Sequence, residues 1–98
     1  TGGGLKDNIL RIIPNHLCAE INLSQINTLN IFKWLKNSGI KEKEMLKTFN
    51  CGVGFCLIIN KKNIKEVKKC FSKNFQPYVI GKISKKPKRI IFNGKIKW

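Results

Sequence analysis

The sequence predicts an α+β domain in which helices cover a single sheet. Three observations support this fold class. Segments with helical spacing of apolar residues alternate along most of the chain with segments of strand type, which favours one sheet covered by helices. The 98 residues, 42% of them hydrophobic, suffice for one domain with a modest core. No internal repeat, low-complexity tract or linker divides the chain.

The elements of the first half follow from apolar spacing. A helix that Pro14 ends is predicted by the apolar face Leu5, Ile9, Ile12 and Ile13. Over residues 17–23 the odd positions are apolar and the even positions are mostly polar, which predicts a strand buried on one face. Thr28 is placed to cap a second helix that Gly39 ends, and residues 42–49 predict a short third helix.

The second half predicts three strands and one helix. Residues 55–59 are continuously apolar, as expected for a strand in the middle of a sheet that is covered on both faces. A fourth helix is predicted to begin after the capping residue Asn63, with its inward face formed by Ile64, Val67, Cys70 and Phe71. Residues 78–83 and 89–96 predict two strands joined as a hairpin by residues 84–88.

The net charge of +15 raises the alternative of a small basic nucleic-acid-binding module. The composition argues against it, since there are 18 Lys but 2 Arg, and 15 Ile but 3 Val, as expected from drift in an AT-rich genome. Specific nucleic-acid sites rely on the bidentate contacts of Arg. We therefore interpret the lysines as a solvated surface, with no nucleic-acid partner.

Targeting features are absent from the sequence. The longest run of apolar residues and glycine spans residues 51–59, which is far shorter than the roughly 20 residues of a membrane-spanning helix. The N-terminus lacks the pattern of a secretory signal. We expect a cytoplasmic protein with no membrane partner. Because the chain does not begin with Met and contains only Met45, we also expect it to be a processed chain or a piece of a longer one.

Side chains that carry chemistry are scarce. Cys18, Cys51, Cys56, Cys70 and the single His16 lack the spacing of a zinc site, so we predict no metal site and reduced, buried thiols. One Asp and four Glu form no paired-carboxylate cluster, and no nucleophile or Walker motif occurs. The sequence therefore identifies no catalytic residue.

Two glycine clusters are the candidate binding loops. The first, Thr1-Gly2-Gly3-Gly4, precedes a predicted helix, where backbone N–H groups favour an anion such as a phosphate. The second contains Asn50 and Gly52, just before the apolar run, where glycine allows a ligand or another backbone to approach. A tight turn that needs positive φ explains the second cluster equally well.

Several motifs at and around these loops resemble the phosphoribosylformylglycinamidine cyclo-ligase family, also called aminoimidazole ribonucleotide synthetases. Residues 1–14, TGGGLKDNILRIIP, resemble that family's T-G-G-G-L-x-E-N-x-P-R-x-L-P. Residues 31–35, IFKWL, match its I-F-x-W-L, and residues 44–54, EMLKTFNCGVG, match its E-M-x-x-T-F-N-M-G-x-G. Residues 78–81, YVIG, resemble a late V-I-G strand. The motifs occur in the family's order.

Departures from the family pattern are mild, and coverage is partial. Asp7 replaces a Glu, Ile9 or Leu10 stands where a Pro is expected, and Cys51 and Cys56 stand where Met is usual. The family's chain is much longer, so residues 1–98 resemble the final part of its C-terminal domain. Its N-terminal ATP-binding domain has no counterpart in this sequence.

The resemblance implies a ligase of de novo purine biosynthesis. Such an enzyme uses ATP to close the imidazole ring of formylglycinamidine ribonucleotide, giving aminoimidazole ribonucleotide. It implies ATP and Mg²⁺ bound mainly by the missing N-terminal domain, a homodimer in the full-length enzyme, and a fragment that is inactive alone.

The resemblance also implies which residues contact the anionic group of substrate or nucleotide. The glycine segment, Thr1, Gly2, Gly3 and Gly4, is expected to do so through backbone N–H groups and the Thr1 hydroxyl. Four further residues are expected beyond this segment or along the same cleft: Asn8, Arg11, Asn50 and Gly52. For Asn8 and Arg11, a surface role or a domain-docking role is an equal alternative.

Overall fold

The computed structural model describes residues 2–98 and confirms the α+β fold class. Within these residues the elements are α1 (Gly4–Leu10), β1 (Cys18–Asn22), α2 (Asn30–Asn37), α3 (Glu42–Thr48), α4 (Ile64–Lys69), β2 (Gly81–Ser84) and β3 (Ile90–Asn93), with short 3₁₀ turns at Leu23–Gln25, Lys61–Asn63 and Lys73–Phe75. None of the helices in residues 2–98 has the length and apolar character that crossing a membrane requires.

The three strands form one mixed sheet in the order β2-β1-β3. β1 pairs antiparallel with β2, so that Ala19 lies opposite Ile83, and parallel with β3, so that Ala19 lies opposite Ile90. The predicted hairpin between the last two strands is therefore wrong. β2 and β3 are neighbours along the chain, but β1 lies between them in the sheet.

The central strand is β1, and it is more buried than the sequence predicts. The odd-numbered residues Ala19 and Ile21 face the core as expected, but Cys18 is fully buried and Glu20 is only 9% exposed. A carboxylate tolerates burial when it is paired. Lys86 Nζ provides the pairing by donating to Glu20 Oε1 at 2.7 Å, and this bond lowers the pKa of the Glu20 carboxyl.

Residues 55–59 are not the central strand that their composition predicts. The structure assigns them to no strand, and they pair with none of the strands in residues 2–98. Four of their five side chains are open to solvent, with Phe55 86%, Leu57 49% and Ile58 51% exposed, whereas Cys56 is half-buried. A fully apolar strand needs a neighbour on its edge and a cover on each face, and these are missing here.

The predicted helices form, but their ends and faces differ in part. Gly39, at φ +108°, follows the end of α2 as expected, whereas the Thr28 hydroxyl is buried without a hydrogen bond in the described chain and does not cap the helix. Asn63 precedes α4 without a side-chain capping bond. Cys70 and Phe71, predicted to point inward, are exposed because the apolar face of α4 meets no covering layer.

The core lies between one face of the sheet and the pair α1 and α3. Its buried residues come from these helices, from β1 and from the loops around them: Leu5, Ile9, Ile13, Ala19, Ile21, Leu23, Ile26, Met45, Leu46, Cys51 and Ile96. α1 ends at Leu10, before Pro14, and Ile12 of its predicted apolar face is instead 60% exposed. Packing of α1 on α3 is what brings the two glycine clusters together.

Candidate functional site

The first glycine segment begins α1 in a conformation that suits glycine. Thr1 lies outside the described residues. Gly3 occupies the helix N-cap position at φ +94°, and Gly4 follows at φ +57°. Both angles are in the left-handed region, which L-residues with a Cβ adopt at a cost. Gly2 is exposed, Gly3 is half-buried and Gly4 is buried.

Gly4 is buried because it touches the backbone at the end of α3. A Cβ on Gly4 would lie 2.7 Å from Leu46 O and 2.8 Å from Phe49 O, closer than real Cβ contacts come. At the same place Leu5 N donates to Phe49 O at 3.0 Å. Part of the glycine requirement in this segment is therefore structural: it allows α1 and α3 to meet backbone to backbone.

Asn8 and Arg11 fold back over the start of their own helix. Asn8 Nδ2 donates to Gly4 O at 2.7 Å and to Gly2 O at 3.3 Å. Arg11 Nη1 donates to Asn8 Oδ1 at 2.9 Å, and Nη2 donates to Gly2 O at 3.4 Å. The predicted site residues of α1 thus form one connected polar group, with the exposed guanidinium of Arg11 at its edge.

Asp7 places a negative charge beside this group. Its side chain lies against Gly3, since a Cβ on Gly3 would be 2.6 Å from Asp7 Cβ and 3.1 Å from Asp7 Oδ2. A carboxylate suits the first turn of a helix, where the backbone dipole is positive. It repels a second anion at the same point. An anionic ligand is therefore better placed towards Arg11 than directly over Gly3.

The second glycine cluster forms a tight turn next to the first. Asn50 Oδ1 accepts from Gly52 N at 2.9 Å, Cys51 has φ +55°, and Gly52 has φ +104°. A Cβ on Gly52 would lie 2.9 Å from Asn27 O. The structure thus shows the turn with positive φ and, at Gly52, also the predicted close approach of another backbone. Because Phe49 is bonded to Leu5, Asn50 and Gly52 still lie near the first segment.

The thiol in this turn is not poised for nucleophilic chemistry. Cys51 is fully buried, and its Sγ lies 3.7 Å from Met45 O and 3.8 Å from Phe49 O. Burial, and less strongly the charge of Glu42, raise the pKa of the Cys51 thiol to about 11. The thiolate is the reactive form of cysteine, so Cys51 is protonated at neutral pH. Cys18 is buried as predicted, whereas Cys70 is exposed.

Arg89 is a residue of this region that the sequence analysis missed. It lines the same shallow depression as Asp7, Leu10 and Arg11, and its Nη2 donates to Leu10 O at 2.6 Å and to Ile13 O at 2.7 Å. The guanidinium thereby satisfies carbonyls at the end of α1, where a cation is also favoured by the helix dipole. The sequence does carry one signal for this residue: Arg89 is one of 2 arginines in a chain with 18 lysines, so an arginine at this position stands out.

The chain is a small α+β domain in which two glycine loops meet through backbone contacts. Comparison with known proteins identifies the family to which this domain belongs. Residues 1–92 match the family described as AIR synthase related protein, C-terminal domain, and the chain belongs to that family. Over 102 residues the chain is 44% identical to the phosphoribosylformylglycinamidine cyclo-ligase of Lactobacillus helveticus (strain DPC 4571). The alignment covers 99% of this chain and 29% of that protein.

These findings confirm the resemblance that the sequence motifs indicate. The relative is named as a cyclo-ligase and the family is AIR synthase related, and neither comparison supports a nucleic-acid-binding module. The chain spans less than a third of the length of the relative that it matches.

Proposed function

We propose that this chain acts as the C-terminal part of a phosphoribosylformylglycinamidine cyclo-ligase. The complete enzyme would use ATP to close the ring of formylglycinamidine ribonucleotide, giving aminoimidazole ribonucleotide in purine biosynthesis. The observation that carries this proposal is the 44% identity that extends over 99% of the chain. As a metabolic ligase of this kind it would act in the cytoplasm as a homodimer.

Within that enzyme, the two glycine loops would supply one side of the substrate cleft. ATP supplies the phosphoryl group that turns the formyl oxygen into a leaving group, and the protein's task is to position anions and neutralise their charge. We assign the anion contact to Arg11 together with the backbone from Thr1 to Gly4. Asn8 would orient the guanidinium, and Asn50 and Gly52 would border the cleft.

The ATP and Mg²⁺ of the reaction would be held mainly by residues outside this chain. Among residues 2–98 no three His, Cys, Asp or Glu side chains come together in an arrangement that could hold a metal ion. Mg²⁺ prefers carboxylate and phosphate oxygens, and the carboxylate that lies against the first glycine segment is that of Asp7.

A chimera tests the proposal directly. The matched segment of the Lactobacillus helveticus enzyme is replaced by residues 1–98, and ATP-dependent formation of the imidazole product is measured. We expect turnover from the chimera and none from residues 1–98 alone. A well-folded chimera without turnover would refute the proposed function.

A pair of substitutions, one within α1 and one at the residue that directly follows it, tests the anion contact within that chimera. Arg11→Met removes the guanidinium, and we expect KM for the nucleotide substrate or for ATP to rise about 10- to 100-fold, as for a lost charged hydrogen bond worth about 1.5–3 kcal/mol. Lys6→Met removes an exposed charge from the same helix and serves as the control. Equal KM values for the two variants would remove Arg11 from the site.

A further inference from the structure

The two arginines of the chain line one depression beside the end of α1. Four residues line it: Asp7, Leu10, Arg11 and Arg89. We call it the arginine depression. Its volume of about 440 Å³ lies within the roughly 300–1,000 Å³ of small-ligand sites. None of the 18 lysines lines it, so both basic positions of this depression hold the residue that is rare in the chain. Arginine differs from lysine in its planar fork of donors, which indicates that the two guanidinium groups share a task.

Arg89 is held rigidly and still has a free donor. Its backbone O accepts from Ala19 N of β1 at 2.9 Å, and its Nη2 donates to Leu10 O at 2.6 Å and to Ile13 O at 2.7 Å. Within residues 2–98, neither Nε nor Nη1 donates a hydrogen bond, and of these two only Nε is buried. The contact with α1 therefore leaves Nη1 available to a ligand.

The positive charges of the two arginines are not neutralised within the described chain. Arg11 donates to Asn8 Oδ1 and to Gly2 O, and both of these acceptors are neutral. Within residues 2–98 neither guanidinium forms an ion pair, since the ion pair of these residues joins Lys86 and Glu20. Guanidinium groups with unpaired charge and free donors match the oxygen atoms of a phosphate. A phosphate monoester is thus the anion that this depression suits.

Asp7 determines what the phosphate is attached to. Its exposed carboxylate lines the same depression and can only accept hydrogen bonds when ionised. It repels a phosphate but accepts from a hydroxyl group. A ligand with a phosphate at one end and hydroxyl groups at the other satisfies all three charged side chains, whereas inorganic phosphate leaves Asp7 unsatisfied. This combination describes a sugar phosphate.

We propose that the arginine depression binds the ribosyl phosphate of the ribonucleotide substrate, with the phosphate on Arg11 and Arg89 and a ribose hydroxyl on Asp7. Arg89 lies outside the motifs of the resemblance and is a second phosphate ligand in this arrangement. The proposal rests on the proposed function for the identity of the sugar phosphate. It concerns binding and not turnover, so the two can fail separately.

The preference for a nucleotide over its nucleoside tests the phosphate contact. Calorimetry on the chimera described above measures Kd for aminoimidazole ribonucleotide and for the nucleoside that lacks its phosphate. We expect Arg89→Met to reduce the preference for the nucleotide about 10- to 100-fold, as for a lost charged hydrogen bond. Lys88→Met is the control, because Lys88 is exposed and does not line the depression. A merely structural role would weaken both ligands equally, so an unchanged preference in Arg89→Met would overturn the proposal.

A conservative variant separates binding from folding. Arg89→Met also removes the bonds to Leu10 O and Ile13 O, whereas Arg89→Lys keeps a cation that can donate to one of these carbonyls. We expect Arg89→Lys to melt cooperatively and still to lose about 10-fold of the preference, because an ammonium group cannot hold α1 and bind the phosphate at once. A preference equal to that of the unsubstituted chimera would overturn the proposal.

Two further measurements identify the source of the phosphate and the sugar contact. The preference for ADP over adenosine should not change in Arg89→Met, and a loss there instead would assign the depression to ATP and overturn the proposal. Asp7→Asn should weaken binding of the nucleoside about 10-fold, and unchanged binding would overturn the ribose contact. If the nucleotide preference depends on Arg89 in a chimera without turnover, the proposed function alone fails. If turnover occurs and the preference is independent of Arg89, the present proposal alone fails.

Discussion

Replacement of Gly4 by alanine tests the backbone contact that joins the two glycine loops. The change places a Cβ at φ +57°, where an L-residue costs about 1–2 kcal/mol. The new methyl group would also lie 2.7 Å from Leu46 O and 2.8 Å from Phe49 O. Both contacts are with backbone, so α1 and α3 must separate.

Separation of the two helices has a cost that the structure allows us to estimate. It stretches the bond from Leu5 N to Phe49 O, worth about 1 kcal/mol, and disturbs the packing of Leu5 and Leu46, by about 1–3 kcal/mol as in overpacked cores. Together with the cost of the positive φ, Gly4→Ala should lower the free energy of unfolding by about 3–6 kcal/mol. This is a large share of the roughly 5–15 kcal/mol that stabilises a domain.

Urea denaturation followed by circular dichroism measures the effect, with two controls. Gly39→Ala has the same φ problem, at +108°, but its Cβ meets nothing within 4 Å, so it should cost only about 1–2 kcal/mol. Gly54→Ala has neither problem and should be nearly neutral. If Gly4→Ala were no more destabilising than Gly39→Ala, the contact between α1 and α3 would be wrong.

Two further predictions concern titratable groups. The hydrogen bond from Lys86 lowers the pKa of Glu20 below its ordinary value of 4.5, so this pair stabilises the fold above that pH, and its contribution is lost as the pH falls through the lowered pKa. Lys86→Met should therefore lower the free energy of unfolding at neutral pH and make that free energy depend less on pH in the acid range. Lys85→Met is the control and should change neither. Identical acid titrations of the two variants would contradict the pairing. For the thiols, a maleimide at neutral pH should label exposed Cys70 in the native chain, whereas Cys51, fully buried with its pKa raised to about 11 by burial, should react only on unfolding. Mass spectrometry of partly labelled protein gives the order, and equal labelling would show that the turn is open.

Apolar spacing predicted the local elements well and the pairing of strands poorly. It located α3 to within a residue and the strand at residues 17–23, because these patterns depend on one face of one element. Apolar spacing does not show which strands are neighbours in the sheet. The predicted hairpin of the last two strands is wrong for this reason, since β1 lies between them. Residues 55–59 have the composition of a central strand, but a strand also needs a partner, and residues 2–98 provide none.

For the candidate site, too, the sequence predicted the local segments but not the contacts between them. The motifs located both glycine loops, and the structure brings them together through the bond from Leu5 to Phe49. The sequence could not show that Gly4 is required for contact with α3, nor that Asp7 lies against Gly3. Such features depend on the distance between segments that are remote in sequence, and composition carries no information about that distance.

The order of the strands in the sheet affects how this chain can fold during its synthesis on the ribosome. β1 is made first of the three strands, and both of its partners, β2 and β3, come after residue 80. At about 5–20 residues per second, β1 waits several seconds with both edges unpaired. Pairings between such distant segments also close slowly, since the loop entropy must be lost before any contact forms. Residues 18–22 are therefore most vulnerable to chaperone capture or aggregation in the interval before β3 emerges.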